Sequence, residues 1–372
     1  MYLEKSTIES ILETIDTLQV KQNEVVLILL SELDLPDMDL LIQQLNDKKV
    51  AFFGGVFPGL IIGNQMFSTG CILKKFKAIV MPFCLSGIGQ VQVSDFPDYK
   101  TPEEFRNGTA LVLLDGLAPN IYAFLGKLNE LLGGECGFIG GGAGFMSLQP
   151  QKCVFCEEGF KQNAAVVCII EKKVNLGIRH GWEHFAGPMV ATQVEDNTIK
   201  QLNWRNAIDV YNEIVSVDCG TTLNQDNFGK IAQGYPFGIL RENEDDIVRD
   251  PIALNGDGSI ECIGEVPPNT VLHVLKGRPA ALLEATKQAM RDCGSSESQP
   301  INASETLIVD CITRALFLEN QFIEEMNIIR NSLQISSPDQ EPYGVLSLGE
   351  ISSYGDGMLE LFNKTIVVGT FN

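Results

Sequence analysis

The sequence predicts an α/β (α+β) protein of two packed domains, with mixed, largely antiparallel sheets flanked by helices. Three observations carry this. Apolar residues alternate between helical and strand spacing through the first third. Hairpin signals crowd the middle. A chain of 372 residues exceeds what one hydrophobic core usually serves.

The elements follow in order. Ser6 or Thr7 caps a first helix whose Ile8, Ile11, Leu12, Ile15 and Leu18 recur at helical spacing. Residues 24–30 read as a buried strand, 37–48 as a second helix and 50–53 as a strand. Strands over 77–83 and 110–114 precede a helix over 120–132 and a glycine-rich stretch. Phe52-Phe53-Gly54-Gly55 and Phe138-Ile139-Gly140-Gly141 place glycines directly after apolar strands, a weak echo of a duplication. Hairpins are expected from 152–157 with 164–171, and from 190–194 with 198–202 about Glu195-Asp196-Asn197. A helix over 206–215 enters the polar, glycine-containing segment 218–230, which places the domain boundary at 220: residues 1–220 and 221–372. Beyond it, Asn255-Gly256-Asp257-Gly258 turns one strand into the next, and Pro279 and Gly294 bracket a helix. Residues 295–300 read as a loop, 306–318 as a strand, 321–333 as a helix, and 344–348 and 364–370 as the last strands.

The charge excludes some partners. Lys and Arg total 27 against 48 Asp and Glu, a formal net charge of -21, which repels phosphate backbones and anionic lipid. Neither nucleic acid nor membrane is expected. The N-terminus lacks a basic segment followed by an apolar core, and residues 25–30 are too few to span a bilayer, so a cytoplasmic location is expected. The ten cysteines then read as reduced thiols, most of them small buried hydrophobes.

Few motifs bear chemistry. Residues 133–144 contain no G-x-G-x-x-G and no G-K-[ST], so tight-turn packing is favoured over a phosphate loop. Cys153 and Cys156 form a lone C-x-x-C without the second pair a zinc site normally needs, and on a strand positions three apart face opposite ways. With no G-x-S-x-G and no partnered cysteine motif, an enzyme is not expected. The densest cluster is Arg179, His180, Gly181, Trp182 and His184. A helix there would put both imidazoles on one face, but Gly181 favours a loop or strand end, which weakens a metal pair. Arg179 and His180 either contact a ligand or hydrogen-bond a hairpin or the domain junction. His273 alternates with apolar residues on a strand, opposite Leu272 and Val274, and reads as a surface or satisfied core histidine.

Three stretches together resemble the FIST family, whose members pair an N-terminal and a C-terminal FIST domain. These are residues 177–188, Gly-Ile-Arg-His-Gly-Trp-Glu-His-Phe-Ala-Gly-Pro, continuing to Ala207-Ile-Asp-Val-Tyr211; Tyr235-Pro-Phe-Gly-Ile239 with Arg249-Asp-Pro251; and Gly349-Glu-Ile351 with Asn363-Lys-Thr365. The resemblance covers nearly the whole chain and assigns 1–220 to FIST N and 221–372 to FIST C. Val56-Phe57-Pro58 replaces a small hydroxyl residue common in the first glycine motif, and Leu348 replaces an aromatic residue.

The resemblance implies a sensory, signal-transducing protein that binds a small ligand, with amino acids proposed for the family. One branch resembles haem-binding nitric oxide sensors that regulate histidine kinases or cyclic-di-GMP enzymes. It implies ligand-binding roles for Arg179, His180, Trp182, His184, Glu350, Tyr354 and Asn363, with His180 as iron ligand if the ligand is haem. Haem would not be attached covalently in the c-type manner, since C-x-x-C-H is absent. The chain begins almost directly with the FIST region, so output through a separate partner is expected. The rivals are a thiol- or metal-dependent enzyme using Cys153 and Cys156, and a ligand-free scaffold.

Overall fold

The computed structural model describes residues 1–96, 105–133, 136–241, 245–294, 299–353 and 358–372. Tyr354 and most of the loop expected over 295–300 lie outside the described residues.

One motif recurs three times: a strand, a helix (in the second copy only short turns over Ile88–Gln90 and Val93–Asp95 among the described residues), a strand, a helical crossing to a parallel strand, a hairpin, and a closing strand. The first copy comprises β1 (Tyr2–Leu3), α1 (Ile8–Leu18), β2 (Glu24–Ser31), α2 (Met38–Asp47), β3 (Phe52–Phe57), the hairpin β4 (Gly59–Ile62) and β5 (Gln65–Phe67), and β6 (Cys71–Ser86). Thr7 caps α1 by accepting from Ser10 N–H, and Asp37 caps α2 by accepting from Leu40 N–H, as their side chains lead one to expect. The second copy begins on the far half of β6 and continues through β7 (Thr109–Asp115), α3 (Ile121–Leu132), β8 (Gly137–Ala143), β9 (Val154–Cys156), β10 (Gly159–Lys161) and β11 (Ala164–Ile170). The hairpin expected between 152–157 and 164–171 is therefore two elements. β9 turns back on β10, and β11 instead pairs with β6 and β7.

The third copy opens with β12 (Val174–Arg179) and is interrupted by an inserted body. That body comprises β13 (Glu183–Glu195), β14 (Thr198–Leu202), β15 (Arg205–Asn206), α4 (Ala207–Cys219), α5 (Phe228–Ala232), β16 (Phe237–Ile239), β17 (Ile247–Leu254), β18 (Ile260–Ile263) and β19 (Val271–Lys276). The copy resumes with α6 (Pro279–Asp292), β20 (Glu305–Cys311), α7 (Ile312–Leu318), α8 (Phe322–Asn331), β21 (Tyr343–Ser347), β22 (Glu350–Ser353), β23 (Leu359–Phe362) and β24 (Ile366–Phe371). The strand expected over 306–318 ends at Cys311. From there Ile312, Ala315 and Leu318 bury one face of a helix.

The pairings repeat with the copies. β2 and β3, β7 and β8, and β20 and β21 run parallel. β6, β11 and β24 close antiparallel on β2, β7 and β20. The hairpins are exchanged cyclically: β4 pairs with β21, β9 with β3, and β22 with β8. In each parallel pair a glycine at the corresponding place faces an aliphatic residue: Gly54 opposite Ile28, Gly140 opposite Val112 and Gly344 opposite Ile308. A Cβ at these glycines would lie 2.0, 1.8 and 1.9 Å from the opposite carbonyl oxygen, so each can only be glycine. The echo between Gly54 and Gly140 is thus real, and it has a third member.

The strands are buried on both faces, which is why they read as continuous apolar runs. Val25, Leu27 and Leu29, with Leu111, Leu113 and Val309, face a central core shared by all three copies. Val26, Ile28 and Leu30 face α1 and α2. Val112 and Leu114 face α3, and Ile308 faces α6 to α8.

In the inserted body, β13, β19, β16, β17, β18 and β14 pair in sequence, and β14 returns to β13, closing a six-stranded barrel. Its core spans Met189 to Val274 and so crosses residue 220. Residue 220 therefore marks the end of α4, not a gap between compact bodies. The three copies form an α/β platform from both chain halves, and residues 183–276 form the barrel.

Candidate functional site

The chain passes from platform to barrel at residues 180–182 and returns at 277–278, and this neck gathers most of the residues named from sequence. The indole N–H of Trp182 donates to the carbonyl oxygen of Lys364 at 2.9 Å, and its ring packs on Phe317 at 4.8 Å between centroids. Lys364 is fully buried; its ammonium pairs with Asp250 at 3.1 Å and donates to Gln233 O at 3.0 Å, both on the barrel side. Arg314, also fully buried, donates to the carbonyl oxygens of His180 and Lys364 and pairs with Glu325 at 2.8 Å. Glu350 accepts from Ser347 Oγ at 2.6 Å and from Thr365 N–H at 3.2 Å; burial raises its pKa to about 8. His180, Trp182, Glu350 and the 363–365 turn are thus one buried polar network, and Arg179 stands at its edge, paired with Asp292 at 2.8 Å and Asp245 at 3.5 Å.

A cavity of about 350 Å³ lies between platform and barrel. Its platform wall is the segment 116–122, where β7 ends and α3 begins, the end of a parallel strand at which α/β sheets bind ligands. Its barrel wall includes Asn197, Arg249, Glu261 and Gly264-Glu265. Asn120 stands at the start of α3 with φ 56° and gives no side-chain cap. The Glu265 carboxylate lies near Tyr122 N–H, so a barrel loop approaches the start of a platform helix across the cleft. Burial raises the Glu265 pKa. Arg249 donates to Glu265 O at 2.7 Å and to Leu361 O at 3.2 Å. Behind this wall is Asn363, fully buried, with neither amide atom hydrogen-bonded. A Cβ at Gly264 would come within 3.1 Å of Asn363 Oδ1 and 3.2 Å of Arg249 Nε, so the three groups are packed together.

On the barrel's flank His184 Nε2 and His273 Nδ1 lie 2.9 and 3.1 Å from the same oxygen, Asp246 Oδ2, with the rings stacked at 4.1 Å. His273 does alternate outward from Leu272 and Val274, as expected. The thiols fare differently. Cys156 lies beside Cys84 on β6, while Cys153 sits against Asp115, where burial raises its pKa. The C-x-x-C sulfurs are not joined to each other.

A FIST N domain model matches residues 24–205, and a FIST C domain model matches residues 207–353. The chain belongs to the FIST family. FIST domains are associated with sensory signal transduction and small-ligand binding. No curated protein matches the sequence. In this FIST-domain protein the two matched regions share sheets, since β4 of the first pairs with β21 of the second. No helix among the described residues is long and apolar enough to cross a membrane.

Haem, expected from the family resemblance, does not fit at His180. Its Nδ1 accepts Trp182 N–H at 2.9 Å, which leaves the proton on Nε2, the atom that would bind iron. His180 is only 6% exposed, and burial lowers its pKa to about 4. The groove beside it mixes Arg179, Glu183, Asp245, Arg278 and Glu284 with Trp182, Ala281 and Ala285 and is broadly open to solvent, unlike the enclosed apolar pocket a macrocycle needs. Sequence reasoning missed Lys364, Arg314, Arg249 and Glu265 as parts of the site. Most of their partners are distant in sequence, up to 134 residues for Arg314 and His180, and only the family motifs Arg249-Asp-Pro251 and Asn363-Lys-Thr365 contained any of them.

Proposed function

We propose that this FIST-domain protein is a non-catalytic sensor whose small polar ligand enters the cleft between platform and barrel. Binding changes how the barrel sits on its neck, and a separately encoded partner reads that change. The observation that carries the reading is the origin of the cleft's walls. Segment 116–122 belongs to the platform and Arg249 and Gly264-Glu265 to the barrel, so an occupant touches both bodies at once. The volume suits a metabolite, at the lower end of the roughly 300–1,000 Å³ of ligand pockets. A guanidinium, carboxylates and an uncapped helix start together favour a zwitterion, which supports an amino acid-like ligand.

The test is a thermal-shift screen of amino acids and related metabolites, followed by calorimetry on any hit. Binding that is lost in Ile252→Trp, which fills the cleft, and weakened in Tyr122→Ala supports the reading; binding unaffected by Ile252→Trp overturns it. The ligand is expected to be recovered unchanged. Candidates for the partner are the family's histidine kinases and cyclic-di-GMP enzymes, to be tested by whether ligand alters co-purification. Haem stays outside this reading: titration is expected to give no stoichiometric Soret band, and a band lost in His180→Ala would reverse that.

A further inference from the structure

We infer that His184, Asp246 and His273 form a binding site for a divalent transition-metal ion, separate from the cleft. The three side chains come from β13, the segment before β17, and β19, and their ligand atoms lie within 4.8 Å of one another. Two imidazoles and one carboxylate match the donor set of first-row transition ions and not of Mg²⁺ or Ca²⁺, which prefer oxygen. The separations from Asp246 Oδ2, 2.9 and 3.1 Å, equal the roughly 3.0 Å between neighbouring ligands at right angles around an ion at about 2.1 Å. A tetrahedral ion would set them about 3.4 Å apart. Three protein donors leave further coordination positions open on such an ion.

The surrounding backbone is shaped for these groups. Gly238 faces the cluster, and a Cβ there would lie 2.5 Å from Asp246 Oδ2, so any side chain would expel the carboxylate. Phe185 is an extra residue in β13, where His184 pairs with Leu275 and Ala186 with the next residue, Val274; this bulge re-aims the strand beside His184. Asp245 is engaged by Arg179 at 3.5 Å, which leaves Asp246 as the carboxylate serving the histidines. Asp246 is buried while the His184 side chain is 57% exposed, so the open positions face solvent and an exchangeable small ligand reaches them. In the metal-free protein each ring donates N–H to Asp246; the ion replaces both protons, and the neutral rings carry theirs on the far nitrogens.

The experiment is a titration of the full-length, chelator-treated protein with Co²⁺, followed by visible absorption and then by competition with Zn²⁺. One equivalent of Co²⁺ with weak d–d bands and no thiolate charge-transfer band is expected. The double variant His184→Gln/His273→Gln should weaken binding by about 100-fold or more, beyond the 10–100-fold typical of outer partners. Asp246→Asn should weaken it also, with each variant's thermal melt recorded to show that it is folded. No stoichiometric binding by the wild type, a thiolate band from the cysteines, or undiminished binding in the double variant each overturns the assignment.

Discussion

Lys364 and Asp250 form a fully buried ion pair, 3.1 Å apart, across the junction of platform and barrel. The same lysine lies 4.9 Å from the centre of the Trp182 ring. Removing the cation leaves the buried Asp250 carboxylate without its ion-pair partner. Lys364→Met is therefore expected to destabilise the protein by about 3–5 kcal/mol, and Lys364→Met/Asp250→Asn by distinctly less. Urea unfolding of the four forms checks this; a double variant no better than the single would show that the lysine's packing, not its charge, matters.

The repeat glycines make a second expectation. Gly140→Ala forces a methyl to within 1.8 Å of Val112 O, and should cost at least the roughly 1–3 kcal/mol of overpacking. Gly126, inside α3, has nothing within 4 Å of where a Cβ would sit. Gly126→Ala should raise stability by about 0.5–1 kcal/mol through helix propensity alone. Thermal melts of both variants decide it, and equal effects would refute the close-approach account.

Stability should also depend on pH through Glu350. Its carboxyl binds a proton more tightly folded than unfolded, rising from an ordinary 4.5 to about 8 through burial, with Ser347, Thr365 N–H, Cys311 and Arg314 pulling it back. Between those values the folded state holds the extra proton, so stability falls as pH rises, by up to about 1.4 kcal/mol per unit. His180 acts oppositely: its pKa falls from 6.5 to about 4, so stability is gained as pH rises through that window. The Glu350 effect is therefore clearest from pH 6.5 to 8. Urea midpoints should fall across that range more steeply in the wild type than in Glu350→Gln, where buried Asp310 remains; a fall of the same size in both would sink the assignment.

Fluorescence offers a fourth check. Of the two tryptophans, Trp204 is 78% exposed at a hairpin tip and Trp182 is 3% exposed at the neck. Trp204→Phe should fold normally and leave a single blue-shifted emission that responds when the cleft is filled. Emission that ignores a bound ligand would mean that the neck does not take part.

Much of this was legible in the chain, and the failures have physical causes. Thr7 and Asp37 mark helix starts because their side chains satisfy first-turn amides, a local matter. Residues 312–318 continue an apolar run from β20, and because β20 is buried on both faces and the apolar Leu316 is exposed, no period separates strand from helix in the sequence. β10 is three half-buried residues, too short to announce itself. Arg179, His180 and Trp182 do sit together at the neck, joined through Lys364 and Arg314 to Glu350, and His184 lies beyond them on the barrel. Asp246 is 62 residues from His184, and no local spacing reports a partner that distant.

The cyclic hairpin exchange also governs the order of events during synthesis. Gly59 pairs with Leu346, so the sheet that the N-terminal hairpin joins does not exist until nearly the whole chain has left the ribosome. Until then β4 presents a bare apolar edge of the kind that recruits other strands. Nascent chains stalled before residue 343 should therefore depend on chaperones and resist acquiring protease protection, which synthesis of residues 343–371 then confers.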